Sequence, residues 1–253
     1  MVTDNNVDLL LKVGKELAES GAESTIIEEC MNSLAQKLEL DEIGISVLPK
    51  SIFLTLLENG QYKTKVQHLD DVIPDFRKLT EIYRLCQKDS TDNIIVIKSG
   101  LSLILHTKQH SKIRFLTTPL ALFAFAIIFG ADFIGAITAG ISGLFAYITK
   151  ERLLHRNMNI MITNLLSAFV ATISSYALAN WLNLTNISII QASAVIFLVP
   201  GVPLINSLED MLKGHYLNGV ARGMRAFFLT LGVVIGIIMA LTLQNFIAKS
   251  ILF

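Results

Sequence analysis

Apolar residues follow two different patterns along this chain, and the change falls near residue 112. Before it they recur at helical or strand spacing among charges; after it they run almost unbroken. Leu10, Val13 and Leu17 lie at helical spacing between Val7 and Glu19, and Gly21 suits the helix end. Thr25 with Glu28 three residues later fits a capping box, which predicts a second helix with an apolar face of Ile27, Cys30, Leu34 and Leu38. Ile43, Ile45 and Val47 alternate as in a strand. Segments 52–57 and 62–66 flank Asn59-Gly60, a hairpin signal, and Pro74 opens another helix through Cys86. Residues 92–106 fit either a strand or a helix.

Beyond the change, apolar runs cover 115–130, 133–149, 159–182, 187–205 and 226–247. Each approaches or reaches the length that crosses a hydrocarbon core of about 30 Å. Only Gly130-Ala131-Asp132 separates the first two runs, and a tight helical hairpin is expected there, because one helix would overshoot the bilayer by about 20 Å. The predicted fold class is an α-helical membrane protein: a small cytoplasmic α+β domain over 1–112, then five transmembrane helices over 113–253. Lys108, Lys112 and Arg114 precede the first span; Lys150, Arg152 and Arg156 fill the second connection, and Lys213, Arg222 and Arg225 the fourth. The first and third connections hold no Lys or Arg, so the positive-inside rule places the soluble domain in the cytoplasm and Phe253 outside, with Trp181 at the outer interface.

The 253 residues carry no net charge, so nothing points to nucleic acid. Met1 to Asp8 is polar and acidic with no apolar run behind it, unlike a signal peptide. The two cysteines, Cys30 and Cys86, read as buried reduced thiols. No nucleotide loop, metal cluster or nucleophile–base spacing is recognisable, so neither catalytic nor metal-binding residues nor a cofactor are expected. His106 and His110 have the i, i+4 spacing of a metal pair but lack a third ligand, which favours a solvated juxtamembrane face.

The fourth run contains Pro200-Gly201-Val202-Pro203, followed by Asn206, Glu209 and Asp210. A proline inside a helix costs roughly 3 kcal/mol, and in lipid the freed carbonyls survive only against protein or a wet cavity. One reading is a solute pathway built on a broken helix; the other is a packing kink. Counting from the outer end, Pro200 falls about 20 Å along span four, with the carboxylates at the cytoplasmic mouth. Asn164, Gln191 and Ser193 lie deeper, where interhelical hydrogen bonding is the structural alternative to solute contact. Small residues on spans two and five, including Gly232 and Gly236, allow close helix approach and leave faces for a partner.

Four stretches together resemble the threonine/serine exporter (ThrE) family: Ser20-Gly21-Ala22-Glu23-Ser24, Leu153-Leu154-His155-Arg156, Pro200 to Asn206 with Asp210, and Gly214-His215-Tyr216-Leu217-Asn218-Gly219-Val220-Ala221-Arg222. The resemblance runs over essentially the whole chain. It implies the split form, in which a larger, YjjP-like polypeptide with a cytoplasmic domain and five spans works with a smaller, YjjB-like membrane subunit. Threonine and serine are the implied substrates, with succinate the alternative for split pairs. No catalytic set carries over to this sequence. Substrate contact is expected from Pro200, Gly201, Pro203, Asn206, Glu209, Asp210, Arg222, Asn164 and Gln191. The carboxylates would meet an ammonium or carry a proton, and backbone N–H groups after Pro203 would meet a carboxylate. A dianion would instead call on Lys213, His215, Arg222 or Arg225. A homo-oligomer, a non-transporting accessory subunit and a membrane hydrolase remain open as other readings.

Overall fold

The computed structural model describes residues 4–38, 40, 43–58, 60–87, 99–104 and 111–251. By contacts the chain forms two units, one within Met1–Lys108 and Gly201–Met224, the other within Gln109–Pro200 and Arg225–Phe253.

In the first unit α1 (Asp4–Glu19) and α2 (Ser24–Lys37) precede an antiparallel sheet of β1 (Ile43–Leu48), β2 (Ser51–Glu58) and β3 (Gln61–His68), in that order. Helix α3 (Phe76–Gln87) and a short helix α4 (99–104) follow. The predicted face of α2, Ile27, Cys30, Leu34 and Leu38, is buried with Leu10, Val13 and Leu17 of α1. Alternate residues of β2, Ile52, Leu54 and Leu56, join the same core, as the two-residue period of a strand requires. β2 and β3 pair antiparallel up to Glu58 and Gln61, the hairpin that the sequence led us to expect, and Asn59 itself lies outside the described residues. So do His106, His110 and residues 92–98; within 99–104 the ambiguous stretch is helical.

One local expectation fails. The capping box does not form, because the N-cap is Glu23, two residues before Thr25, and its side chain makes no capping bond. Thr25 is already helical, and its hydroxyl is buried without a partner.

The second unit contains α5 (Ser111–Ile128), α6 (Phe133–His155), α7 (Ile160–Trp181) and α8 (Ile187–Val195). Helices α5 and α6 form the expected hairpin rather than one long helix. A 3₁₀ turn at Ile196–Leu198 ends this stretch, and α9 (Gly201–Leu212) and α10 (Tyr216–Ile251) complete the chain. Among the described residues, three segments are long and apolar enough to cross a membrane: Phe133–His155, Ile160–Trp181 and Tyr216–Ile247. Ile187–Leu198 with Gly201–Leu212 makes a fourth when the broken pair counts as one span, and Ile113–Ile128 is apolar but shorter.

The small-residue faces are not left open for a partner. Gly135, Ala139, Gly140 and Gly143 are buried on α6. A Cβ at Gly232 would lie 2.6 Å from the carbonyl oxygen of Met161, and one at Gly236 would lie 2.2 Å from that of Leu165. The close helix neighbour of the Gly232–Gly236 face is thus α7 of the same chain.

Candidate functional site

Helix α9 starts one residue after Pro200. Val199 is extended (φ −69, ψ 127), as a residue before proline prefers. Sequence reasoning expected the helix to restart after Pro203; it restarts at Gly201, because a proline in the first helical turn gives up an N–H that would have no intrahelical partner. The unpaired donors at this helix start therefore belong to Gly201 and Val202.

Asn206 and Asp210 are four residues apart on α9, and Asn218 and Arg222 four apart on α10, so each pair shares a helix face. Both faces meet the segment joining α1 to α2. Asn206 Nδ2 donates to the carbonyl of Gly21 at 2.8 Å, and Arg222 Nη2 to that of Ala22 at 2.8 Å. The backbone N–H of Ser24 donates to Asp210 Oδ1 at 2.9 Å. Asn218 Nδ2 donates to Ser24 Oγ at 2.7 Å and to the carbonyl of Val47 at 2.8 Å. Asp210 is fully buried, and its Oδ2 lies 3.3 Å from Arg222 Nε. Lys213, just past α9, bonds Glu23 Oε1 through its ammonium.

Close packing of α9 on α10 makes this possible. A Cβ at Gly219 would sit 2.9 Å from the carbonyl of Ser207, and one at Gly223 would sit 2.8 Å from Ser207 Oγ. Ser207 Oγ donates to the carbonyl of Gly219 at 2.7 Å.

The cluster also carries buried polar atoms that make no hydrogen bond. Glu23 Oε2, Asp210 Oδ2, Asn218 Oδ1 and Arg222 Nη1 are buried and accept or donate no hydrogen bond. Leaving a buried polar group unpaired costs about 1–3 kcal/mol, and more for a charge, so each such atom favours a polar partner. Three are acceptors and one is a donor. Burial disfavours ionised Glu23, but the Glu209 carboxyl beside it and the Lys213 ammonium outweigh that cost and hold the carboxyl below its ordinary range. The cations also have partners: Lys213 faces Glu23, Arg222 faces Asp210, and His215 Nε2 lies 3.7 Å from Glu28 Oε2.

Of the predicted site residues, then, Asn206, Asp210 and Arg222 come together, with Glu209 beside Glu23. Pro200, Gly201 and Pro203 form the break and the start of α9. Asn164 and Gln191 belong to the second unit. There Gln191 Nε2 donates to the carbonyl of Thr172 at 3.3 Å and to Gln244 Oε1 at 3.2 Å, the interhelical bonding that was its structural alternative. Asn164 is buried, and its Oδ1 has no partner. Glu23, Ser24 and Asn218 join the same cluster and were not among the expected residues, although all three lie inside the motif strings. Among the described residues no group of three His, Cys, Asp or Glu is arranged to hold a metal.

The family model described as "Putative threonine/serine exporter" matches residues 8–244. "Probable succinate transporter subunit YjjP" of Escherichia coli (strain K12) is 30% identical over 245 residues, covering 93% of both chains. The protein of the same name from Klebsiella aerogenes is 30% identical over 248 residues, covering 93% of this chain and 92% of its own. "Probable threonine/serine exporter" of Mycobacterium tuberculosis is 24% identical over 246 residues, which are 93% of this chain but 45% of that protein. No solved structure matches. These relatives are named as transporters and exporters, in keeping with a multi-pass membrane protein that is not an enzyme. The chain belongs to the threonine/serine exporter (ThrE) family.

Proposed function

We propose that this chain is one subunit of an ion-coupled secondary exporter that moves small polar metabolites of the threonine/serine type out of the cytoplasm. A smaller, YjjB-like membrane subunit completes it; the word "subunit" in the names of two relatives supports a partner. Residues 1–112 form the cytoplasmic domain and 113–253 the membrane domain, with α5 and the broken α8–α9 segment supplying the two spans beyond the three long ones. The C-terminus is then extracytoplasmic, as the positive charges on alternate connections favour.

One observation carries the substrate class. Glu23 faces Lys213 and Asp210 faces Arg222, so each of these charges already has its counter-charge, and the atoms without a hydrogen bond include both acceptors and a donor. An amino acid, itself neutral overall, adds an ammonium for the acceptors and a carboxylate for Arg222 Nη1 without leaving net charge buried. Succinate is the second reading, favoured by the names of the Escherichia coli and Klebsiella relatives. As a dianion it would meet cations that already face carboxylates.

Vesicles holding this chain alone, and vesicles holding it with the second subunit, separate the claims. Exchange of threonine or serine should require both polypeptides. Full exchange by this chain alone would remove the partner from the account. A reporter fused after Phe253 should read as extracytoplasmic; a cytoplasmic reading would mean that one span is wrongly assigned.

A further inference from the structure

Resting on that reading, we infer that Glu23 accepts the substrate's ammonium and that Lys213 is its tethered competitor. Asp210, the obvious carboxylate from sequence, is already committed. Its Oδ1 takes the Ser24 N–H and its Oδ2 faces Arg222, so it positions the helix start and the guanidinium. Glu23 differs. Its side chain is only 9% exposed, Oε1 is held by Lys213, and Oε2 is buried with no hydrogen-bond partner. Glu209 lies against it and offers a second carboxyl to the three donors of an ammonium. Arg222, whose Nη1 is the unused donor, is held next to this spot by the carbonyl of Ala22, the residue before Glu23. Glu23 and Arg222 thus present opposite charges to the two ends of a zwitterion.

Lys213 carries the same group as the substrate, a primary ammonium on an aliphatic stem. Its side chain is 42% exposed and follows the last residue of α9, so it can leave Glu23 for water. Substrate binding then exchanges one ammonium for another on a carboxylate that stays ionised. Glu23 is never left buried as an uncompensated charge, with or without substrate.

Binding to the full-length chain in detergent, followed by calorimetry, tests this with L-threonine, with ethanolamine (an ammonium without a carboxylate) and with succinate as probes. Glu23→Gln should weaken threonine and ethanolamine binding by about tenfold or more, the scale of a hydrogen bond to a charge. Glu23→Asp should restore part of it. Lys213→Gln should tighten binding by up to about fivefold, the scale of a half-exposed ion pair. A purely structural bridge gives the opposite pattern: both single variants weaken binding alike, and the exchanged pair Glu23→Lys, Lys213→Glu restores it. That pattern overturns the inference, as does wild-type protein that binds neither threonine nor ethanolamine. If Glu23→Gln does not fold, the sign of the Lys213→Gln effect decides. Ethanolamine binding without threonine transport would leave the ammonium site standing while the amino-acid exporter reading fell.

Discussion

Asp210 Oδ1 accepts the backbone N–H of Ser24 at 2.9 Å across 186 residues of sequence. The bond does what the N-cap residue of α2 does not: it gives a first-turn amide a carboxylate acceptor at the positive end of the helix. The same side chain compensates Arg222, and the two roles separate by mutation. Asp210→Asn keeps an oxygen for Ser24 but leaves the guanidinium without its buried carboxylate, a loss of about 3 kcal/mol. Asp210→Ala removes both roles and should unfold at a lower temperature still. Thermal unfolding in detergent followed by circular dichroism checks the order wild type, Asn, Ala; equal stability of wild type and Asp210→Asn would contradict it.

The Glu23–Lys213 bridge has a defined pH window. Against the cost of burial, Glu209 and Lys213 keep the Glu23 carboxyl below its ordinary 4.5, so its contribution to stability is present above that value and lost as pH falls through the lowered one. Bonding to Glu23 raises the Lys213 ammonium above its ordinary 10.5, so that contribution is full below 10.5 and lost as pH rises through the raised value. The difference in unfolding temperature between wild type and Lys213→Gln should therefore be flat from about pH 5 to about pH 10 and shrink on acidification below that. A difference that grows as the pH falls would show that the bridge is not what holds Glu23.

Glycines should sort by their neighbours. Gly236→Ala places a methyl 2.2 Å from the carbonyl oxygen of Leu165, where backbone rather than a flexible side chain must move, and should cost about 1–3 kcal/mol. A Cβ at Gly201 meets nothing within 4 Å, so Gly201→Ala should leave the unfolding temperature unchanged or slightly raised. No loss of stability in Gly236→Ala would mean that α7 and α10 are not in close contact.

Cys30 and Cys86 are both free and buried. A hydrogen bond with Cys86, together with burial, pushes the Cys30 thiol well above its ordinary 9.0 and disfavours its nucleophilic thiolate. Neither cysteine should react with a maleimide in the folded protein, and both should react in denaturant. Rapid labelling of the native chain would place α2 or α3 differently.

Much of this was legible because its causes are local. Helical spacing in α1 and α2, alternation in β1 and the Asn59-Gly60 signal depend on neighbours a few residues apart. Thr25 and Glu28 misled for the same reason, since their spacing is blind to an acceptor at Asp210 far along the chain. Asn206 and Asp210 were singled out by their polarity beside an apolar stretch, and Arg222 by the motif that ends at it. Glu23 was not, because in a charged domain one more glutamate carries no signal until Lys213, Glu209 and Arg222 are seen around it. The apolar residues of α9 likewise did not reveal that Gly201–Met224 groups by contacts with the first 108 residues. Gly219 and Gly223 form the same four-residue step as Gly232 and Gly236, a readable signal for the α9–α10 contact that was passed over.

The most direct test of the central claim is counterflow in vesicles that hold both subunits and are preloaded with unlabelled threonine. Labelled threonine should accumulate transiently, excess serine should suppress it and excess succinate should not. Glu23→Gln, present in equal amount and correctly inserted, should accumulate little. Accumulation driven and suppressed by succinate alone, unchanged in Glu23→Gln, would contradict both the amino-acid reading and the place of the site.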